Sequence, residues 1–336
     1  MRDYPLQLSI ESDGKNIYIH PVVESIHGGS YIEGPYMKLK CSCSSSELGE
    51  CIKNSFLYIE KKYENGEEPD QSKDYKPISW RKRAVLWASQ NSNGHIRMIP
   101  EYTDHLIMTN SSIEHQYCLA ECSVDALGNA AIDCFQKSFD YAKRKEIAVY
   151  YSDEDGLLFV PMAVNRTGYV LADFCVCVKK PYSPEEVCDA LNIVQKFLEM
   201  NSEDNRTNRE RKNNLPWREY SKYKSMHGFV KKHHCIQIHI LVNGNIEFIP
   251  NLRIDSYDSC FVPYEHLKSV IVYNRNSEEI TKELWKTFEV CDLMYKKSRE
   301  PDTSCHNDIF FEYVNELRKQ RNDLYLTWEE WEQKCK

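Results

Sequence analysis

A chain of 336 residues, 41% hydrophobic and 28% charged, has the length of about two globular domains and a composition that excludes disordered and fibrous classes. Its net charge of −8 opposes attraction to nucleic-acid phosphates and favours a basic protein partner, so no direct nucleic-acid contact is expected. No apolar run reaches the roughly 18 residues of a membrane span, and MRDYPLQLSIESDG lacks a basic region before an apolar core, so a cytoplasmic protein without a membrane partner is expected.

In chain order, LQLSI (6–10) leads into the turn Asp13-Gly14 and an alternating run with Ile17 and Ile19 that stops at Pro21. Asp-Gly and Asn-Gly supply the positive φ of a tight hairpin. A later strand-like run, YMKLKCS from 36, precedes a helix that opens at Ser44 and carries the stripe Leu48, Ile52, Ser55, Phe56, Ile59. Ser44 and Glu47 are spaced as a capping box.

The phrase then recurs three times. AVLWA (84–88), Asn93-Gly94, Ile96, Met98 and Pro100 are followed by HQYCLAEC from 115 and a helix from Ser123 with Leu127, Ala131, Cys134, Phe135 and Ser138 on one face. IAVYY (147–151), Asp155-Gly156, Leu157, Phe159 and Pro161 are followed by VLADFCVCV from 170 and the helix Ser183-Pro184-Glu185-Glu186. IQIHILV (236–242), Asn243-Gly244, Ile246, Phe248 and Pro250 are followed by HLKSVIVY from 266 and a helix from 277. Each proline lacks an N–H and is expected to end its strand.

Each copy thus predicts a β-β-β-α unit. The spacing between the prolines runs long, short, long, so the copies pair off. The fold expected is α+β: two tandem similar domains, 1–145 and 146–297, with antiparallel sheets and helices packed on them. A helical extension, 298–336, is expected to pack back through Phe310, Val314 and Leu317, with Trp328 and Trp331 three apart. The longer gaps, 61–79 and 201–214, are polar and end near Trp80 and Trp217; 201–214 is expected to be the most open backbone.

His233, His234, Cys235 and His239 form the densest group of reactive side chains. Strand alternation puts His233, Cys235, Gln237 and His239 on one face and His234 on the other, which favours a solvated strand face over a converging metal or Cys–His site. Cys41 with Cys43 and Cys175 with Cys177 could each make half a zinc site, but cysteine is also a small, readily buried hydrophobe, and packing is expected. The 14 cysteines lie in a chain with enough apolar residues to fold unstapled, so reduced thiols are expected. GxxxxGK[ST], GxGxxG after a strand, GxSxG and HExxH are missing. No catalytic, metal or cofactor site is therefore assigned.

The second half, with Ser183-Pro184-Glu185-Glu186, Trp217 and the block YKSMHGFVKKHHCIQIHILVNGNIEFIPN, resembles the immunity proteins of bacterial contact-dependent growth inhibition systems. Lys224, Ser225, Phe229, Val230, Gly244 and Pro250 fit that family's block, with Met226 where a tryptophan is usual. The first half resembles it through Glu47-Leu48-Gly49, Ala126-Leu127-Gly128, Gly94 and Pro100. The resemblance implies a non-enzymatic cytosolic protein that binds and blocks the toxic C-terminal domain of a delivered effector, often a nuclease; no catalytic residues carry over. The hairpin-tip acids Asp153, Glu154 and Asp155 are the candidate toxin contacts, complementary to a basic nuclease cleft. A thiol- or metal-dependent enzyme using His233, Cys235 and His239, and a general interaction scaffold, are the alternatives.

Overall fold

The computed structural model describes residues 5–24, 30–33, 37–67, 83–104, 107–109, 115–165, 168–254, 260–271, 276–300 and 308–321, with 330 and 333. Trp80, Trp328 and Trp331, and most of the 61–79 gap, lie outside them. The chain divides into two compact units, Met1–Ala142 and Lys143–Lys336. The division falls just ahead of the boundary expected near 145, and the C-terminal extension belongs to the second unit. Among the described residues no helix is long and apolar enough to cross a membrane.

The first unit runs β1 (Leu6–Ser12), β2 (Asn16–Glu24), β3 (Ser30–Ile32), β4 (Met37–Lys40) and α1 (Ser45–Asn65). It then repeats as β5 (Arg83–Gln90), β6 (Ile96–Asp104), β7 (Ile107–Thr109), β8 (Gln116–Cys118) and α2 (Val124–Tyr141). The strand order is β3-β2-β1-β5-β6-β7, with β4 beside β2 and β8 beside β6. The two repeats meet where β1 pairs antiparallel with β5, Ile10 opposite Leu86.

The second unit has β9 (Lys145–Ser152), β10 (Gly156–Asn165), β11 (Gly168–Leu171), β12 (Val176–Val178), α3 (Pro184–Met200), and the short helices α4 (Asn208–Asn213) and α5 (Met226–Val230). Then come β13 (His234–Ile240), β14 (Ile246–Ile254), β15 (Cys260–Pro263), β16 (Ser269–Ile271), α6 (Ser277–Lys297) and α7 (Asp308–Arg321). Its order, β11-β10-β9-β13-β14-β15 with β12 beside β10 and β16 beside β14, matches the first. The chain is thus α+β with two tandem similar units. Each repeat holds one short strand more than expected, because the variable loop after the hairpin contributes β3, β7, β11 or β15.

The four prolines do not end their strands; β2, β6, β10 and β14 run through them. In an antiparallel strand a residue's N–H and C=O point to the same edge. The carbonyls of Pro21, Pro161 and Pro250 accept from the N–H of Glu33, Ala172 and Tyr264, each at 2.9 Å, on the outer edge. There the partner changes: β4 pairs with Asn16 to Ile19 and β3 with Val22 to Glu24. The missing N–H falls in the gap between two short strands, so the central ladder loses no bond.

The predicted stripes form the cores. Leu48, Ile52, Phe56, Ile59, Leu127, Ala131, Cys134 and Phe135 pack on Ile17, Ile19, Ile96 and Met98. Leu157, Phe159, Ile246 and Phe248 do the same beneath α3 and α6. Both capping boxes are present at Ser44/Glu47 and Ser183/Glu186. α1 and α2 approach backbone to backbone: a Cβ on Gly49 would lie 1.8 Å from the Val124 carbonyl oxygen, and one on Gly128 1.8 Å from that of Ser45. α7 buries Phe310 and Val314 against Leu252, Tyr264, Leu267 and Met294, with Leu317 packed at their edge.

Candidate functional site

Residues 215–229 lie over the face of the second sheet opposite the one covered by α3 and α6. Trp217 and Phe229 are fully buried and stack at 4.1 Å, and Phe229 stacks on His233 at 3.8 Å. They join Ala148, Tyr150, Leu158, Val160, Cys175 and Cys235 in one apolar cluster. This corrects two expectations. The strand face bearing His233, Cys235 and His239 is covered, all three being no more than 2% exposed. Nor is 201–214 open backbone: Glu203 bridges to Val164, and Thr207 and Glu210 make a capping box for α4. Buried Asp204 holds Arg206, whose guanidinium also donates to the Leu171 carbonyl at 2.8 Å. The linker is ordered by bonds to itself and to the sheet, while most of its residues remain exposed to solvent.

The reactive side chains are committed to the fold. The His233 ring bonds the Phe229 carbonyl through Nδ1 at 2.8 Å and Asp155 Oδ2 through Nε2 at 3.1 Å. Burial pushes its pKa below the usual value, against the pull of those two acceptors. His239 lies between Glu247, 3.2 Å from Nδ1, and Glu146, 3.6 Å from Nε2. Those carboxylates also bind Lys268 and Arg144, so the strand face carries a buried charge network. In Glu247 burial raises the pKa, but His239 and Lys268 outweigh it and hold the carboxyl low. The Cys235 thiol accepts from Asn251 Nδ2 at 3.4 Å, and burial drives its pKa well up, the reverse of what a nucleophile needs.

The cysteine pairs separate. Cys175 is buried and Cys177 half-buried, as packing residues. Cys41 and Cys43 lie beyond the end of β4 rather than in a strand, and Cys41 is exposed, 3.3 Å from Ser12 Oγ.

The three tip acids also divide. Gly156, φ +85°, closes the β9–β10 turn, and a Cβ there would meet the Val178 carbonyl oxygen at 2.4 Å. Asp153 is exposed and pairs with Lys180 at 2.5 Å; that bond and one from Tyr151 hold its carboxyl below the usual range. Glu154 pairs with Lys222 at 2.7 Å and accepts from the Tyr223 hydroxyl. Asp155 is 5% exposed and turned inward to His233, so, contrary to the expectation for all three tip acids, it is not a surface contact. Alternation alone cannot find this, because the tip residue after two solvated acids reads as a third.

The family-like block is structural as well. Ser225 caps α5, Phe229 and Val230 are buried, and Gly244 takes φ +86° in its turn. What the sequence reading missed is the charge that this strap carries. Between residues 206 and 232 stand nine lysines and arginines against two glutamates, in a chain of net charge −8. A local charge window, instead of the whole-chain sum, would have found it.

No family model matches the sequence, and no curated protein does. Among solved structures the chain is similar to the "Protein of Unknown Function NMB0488" from Neisseria meningitidis. The identity is 10%, the match covers 40% of this chain and 94% of that chain, and the TM-score is 0.30.

Proposed function

We propose that the protein is a cytoplasmic immunity protein that binds and neutralises the C-terminal toxin domain of a contact-dependent growth inhibition effector or a related polymorphic toxin. The observation that carries this reading is the engagement of His233, Cys235 and His239 in bonds that hold the fold. Chemistry-bearing side chains used this way leave recognition to surfaces, and a scaffold that presents hairpin tips suits binding. The resemblance of the 217–250 block to immunity proteins supplies the class of partner.

The proposed contacts are Asp153 and Glu154, exposed at one tip and held in place by Lys180 and Lys222. A partner's cations would exchange for these lysines, which is inexpensive at a solvated site. The test is coexpression with the C-terminal domain of an effector encoded beside this chain. Rescued growth and a complex that survives purification support immunity. Continued toxicity with no complex leaves a general interaction scaffold in its place.

A further inference from the structure

We infer that the basic strap, residues 206–232, is a binding surface for single-stranded nucleic acid. Six of its cations, Arg209, Lys212, Arg218, Lys224, Lys231 and Lys232, are exposed. None of the six has a carboxylate within ion-pair distance among the described residues, whereas Arg206, Arg211 and Lys222 do. Two are fixed by backbone: Arg218 Nη1 donates to the Asn213 carbonyl, and Lys224 Nζ to those of Arg218 and Ser221 at 3.2 and 3.3 Å. These bonds order the side chains without neutralising their charge. They also run from the end of α4 through Arg218 to Lys224, so these two cations belong to one connected ridge.

The ridge is held rigid from beneath. Trp217 and Phe229 anchor it in the apolar cluster, and His233 clasps its end to Asp155. A preorganised cationic surface loses little entropy when an anion arrives. The whole-chain charge argued against phosphate binding, but a ligand meets the local field.

The choice of nucleic acid over an acidic protein rests on the aromatic in the ridge. Tyr220, 38% exposed, sits between Arg218 and Lys222 in the turn that follows buried Trp217. A ring exposed in the same turn as Arg218, which has no carboxylate within ion-pair distance among the described residues, gives a base a face to stack on while the cations track its backbone. A carboxylate-rich peptide has no use for that face.

The experiment is fluorescence anisotropy of labelled oligo(dT) with the full chain at rising KCl. With about four phosphates engaged, log K should fall against log salt with a slope of about −3. Lys224→Ala/Lys231→Ala/Lys232→Ala should flatten that slope by about 2 and weaken binding at least about tenfold at low salt. Tyr220→Ala should weaken binding roughly tenfold and leave the slope unchanged. Lys282→Ala/Lys286→Ala, on exposed α6 positions, should change neither, and circular dichroism melts show whether each variant is folded. Absence of binding at about 50 mM KCl overturns the inference. So does a folded strap variant with an unaltered slope. Competition by poly-L-glutamate as strong as by unlabelled oligo(dT), with Tyr220→Ala silent, overturns it in favour of an acidic protein partner.

Discussion

His233 Nε2 lies 3.1 Å from Asp155 Oδ2, a contact between residues 78 apart in sequence that ties the β9–β10 hairpin to the strap. Both side chains are buried. Asp155→Ala removes the partner of a buried ring nitrogen and should cost about 2 kcal/mol, whereas Asp153→Ala and Glu154→Ala, at solvated pairs, should each cost under about 1 kcal/mol. Urea unfolding of the three variants measures this. Equal, small losses at all three would show that Asp155 is a surface acid after all. The ranking also decides how toxin binding is tested: Lys substitutions at Asp153 and Glu154 perturb a surface, and one at Asp155 perturbs the fold.

Trp217 is the largest side chain buried in the strap, stacked on Phe229 and edge-on to Tyr150 at 5.6 Å. Trp217→Ala should cost about 3 to 5 kcal/mol, the range for deleting a buried aromatic. It should also make the strap the first site of trypsin cleavage in the second unit, since Arg209, Lys212 and Arg218 then lose their anchor. Unchanged cleavage with unchanged stability would mean that the strap is held by its polar contacts alone.

Much of the fold was legible because period-two and 3.6-residue patterns repeat four times, and a repeated weak signal is a strong one. Leu48 to Ile59 and Leu127 to Ser138 are buried where their stripes place them. Pro21 and its counterparts misled because a missing N–H was read as the end of a strand, when only the edge it faces decides its cost. The covered sheet face was illegible for a related reason. His233, Cys235 and His239 look solvated by residue type, and their burial depends on Trp217 and Phe229 arriving from a segment whose polarity suggested open chain.

Gly49 and Gly128 meet where α1 crosses α2, each lacking the Cβ that would strike the opposite helix's backbone. In an exposed helix Gly→Ala would stabilise by up to about 1 kcal/mol. Here Gly128→Ala should destabilise by about 2 to 3 kcal/mol, because rigid backbone must move. Gly14→Ala is the control: its site has φ +82° and nothing within 4 Å of the added carbon, so only the cost of left-handed backbone remains, about 1 to 2 kcal/mol. Thermal melts rank the two, and a stabilised Gly128→Ala would refute the close crossing.

Glu101 is buried in the first unit with Trp87 Nε1 donating to its Oε2 at 2.8 Å. Burial raises its pKa from 4.5 to about 7, against the opposing effect of that bond. Between those values the folded chain keeps a proton that the unfolded chain has lost, so this group makes stability fall as pH rises from about 4.5 to about 7. His115 acts oppositely, burial and Arg97 depressing its pKa to about 4, so its contribution is lost as pH falls from about 6.5. A bare pH profile would mix the two. Glu101→Gln separates them, because His115 is common to both proteins and cancels in the difference. The amide oxygen can still accept from Trp87, and any strain from the new NH₂ is independent of pH. The stability of Glu101→Gln relative to the parent should therefore rise between pH 5 and pH 8 by up to about 3 kcal/mol and then level off. Urea unfolding at both values measures the difference, and a flat one would mean that Glu101 ionises in the folded protein as readily as in water.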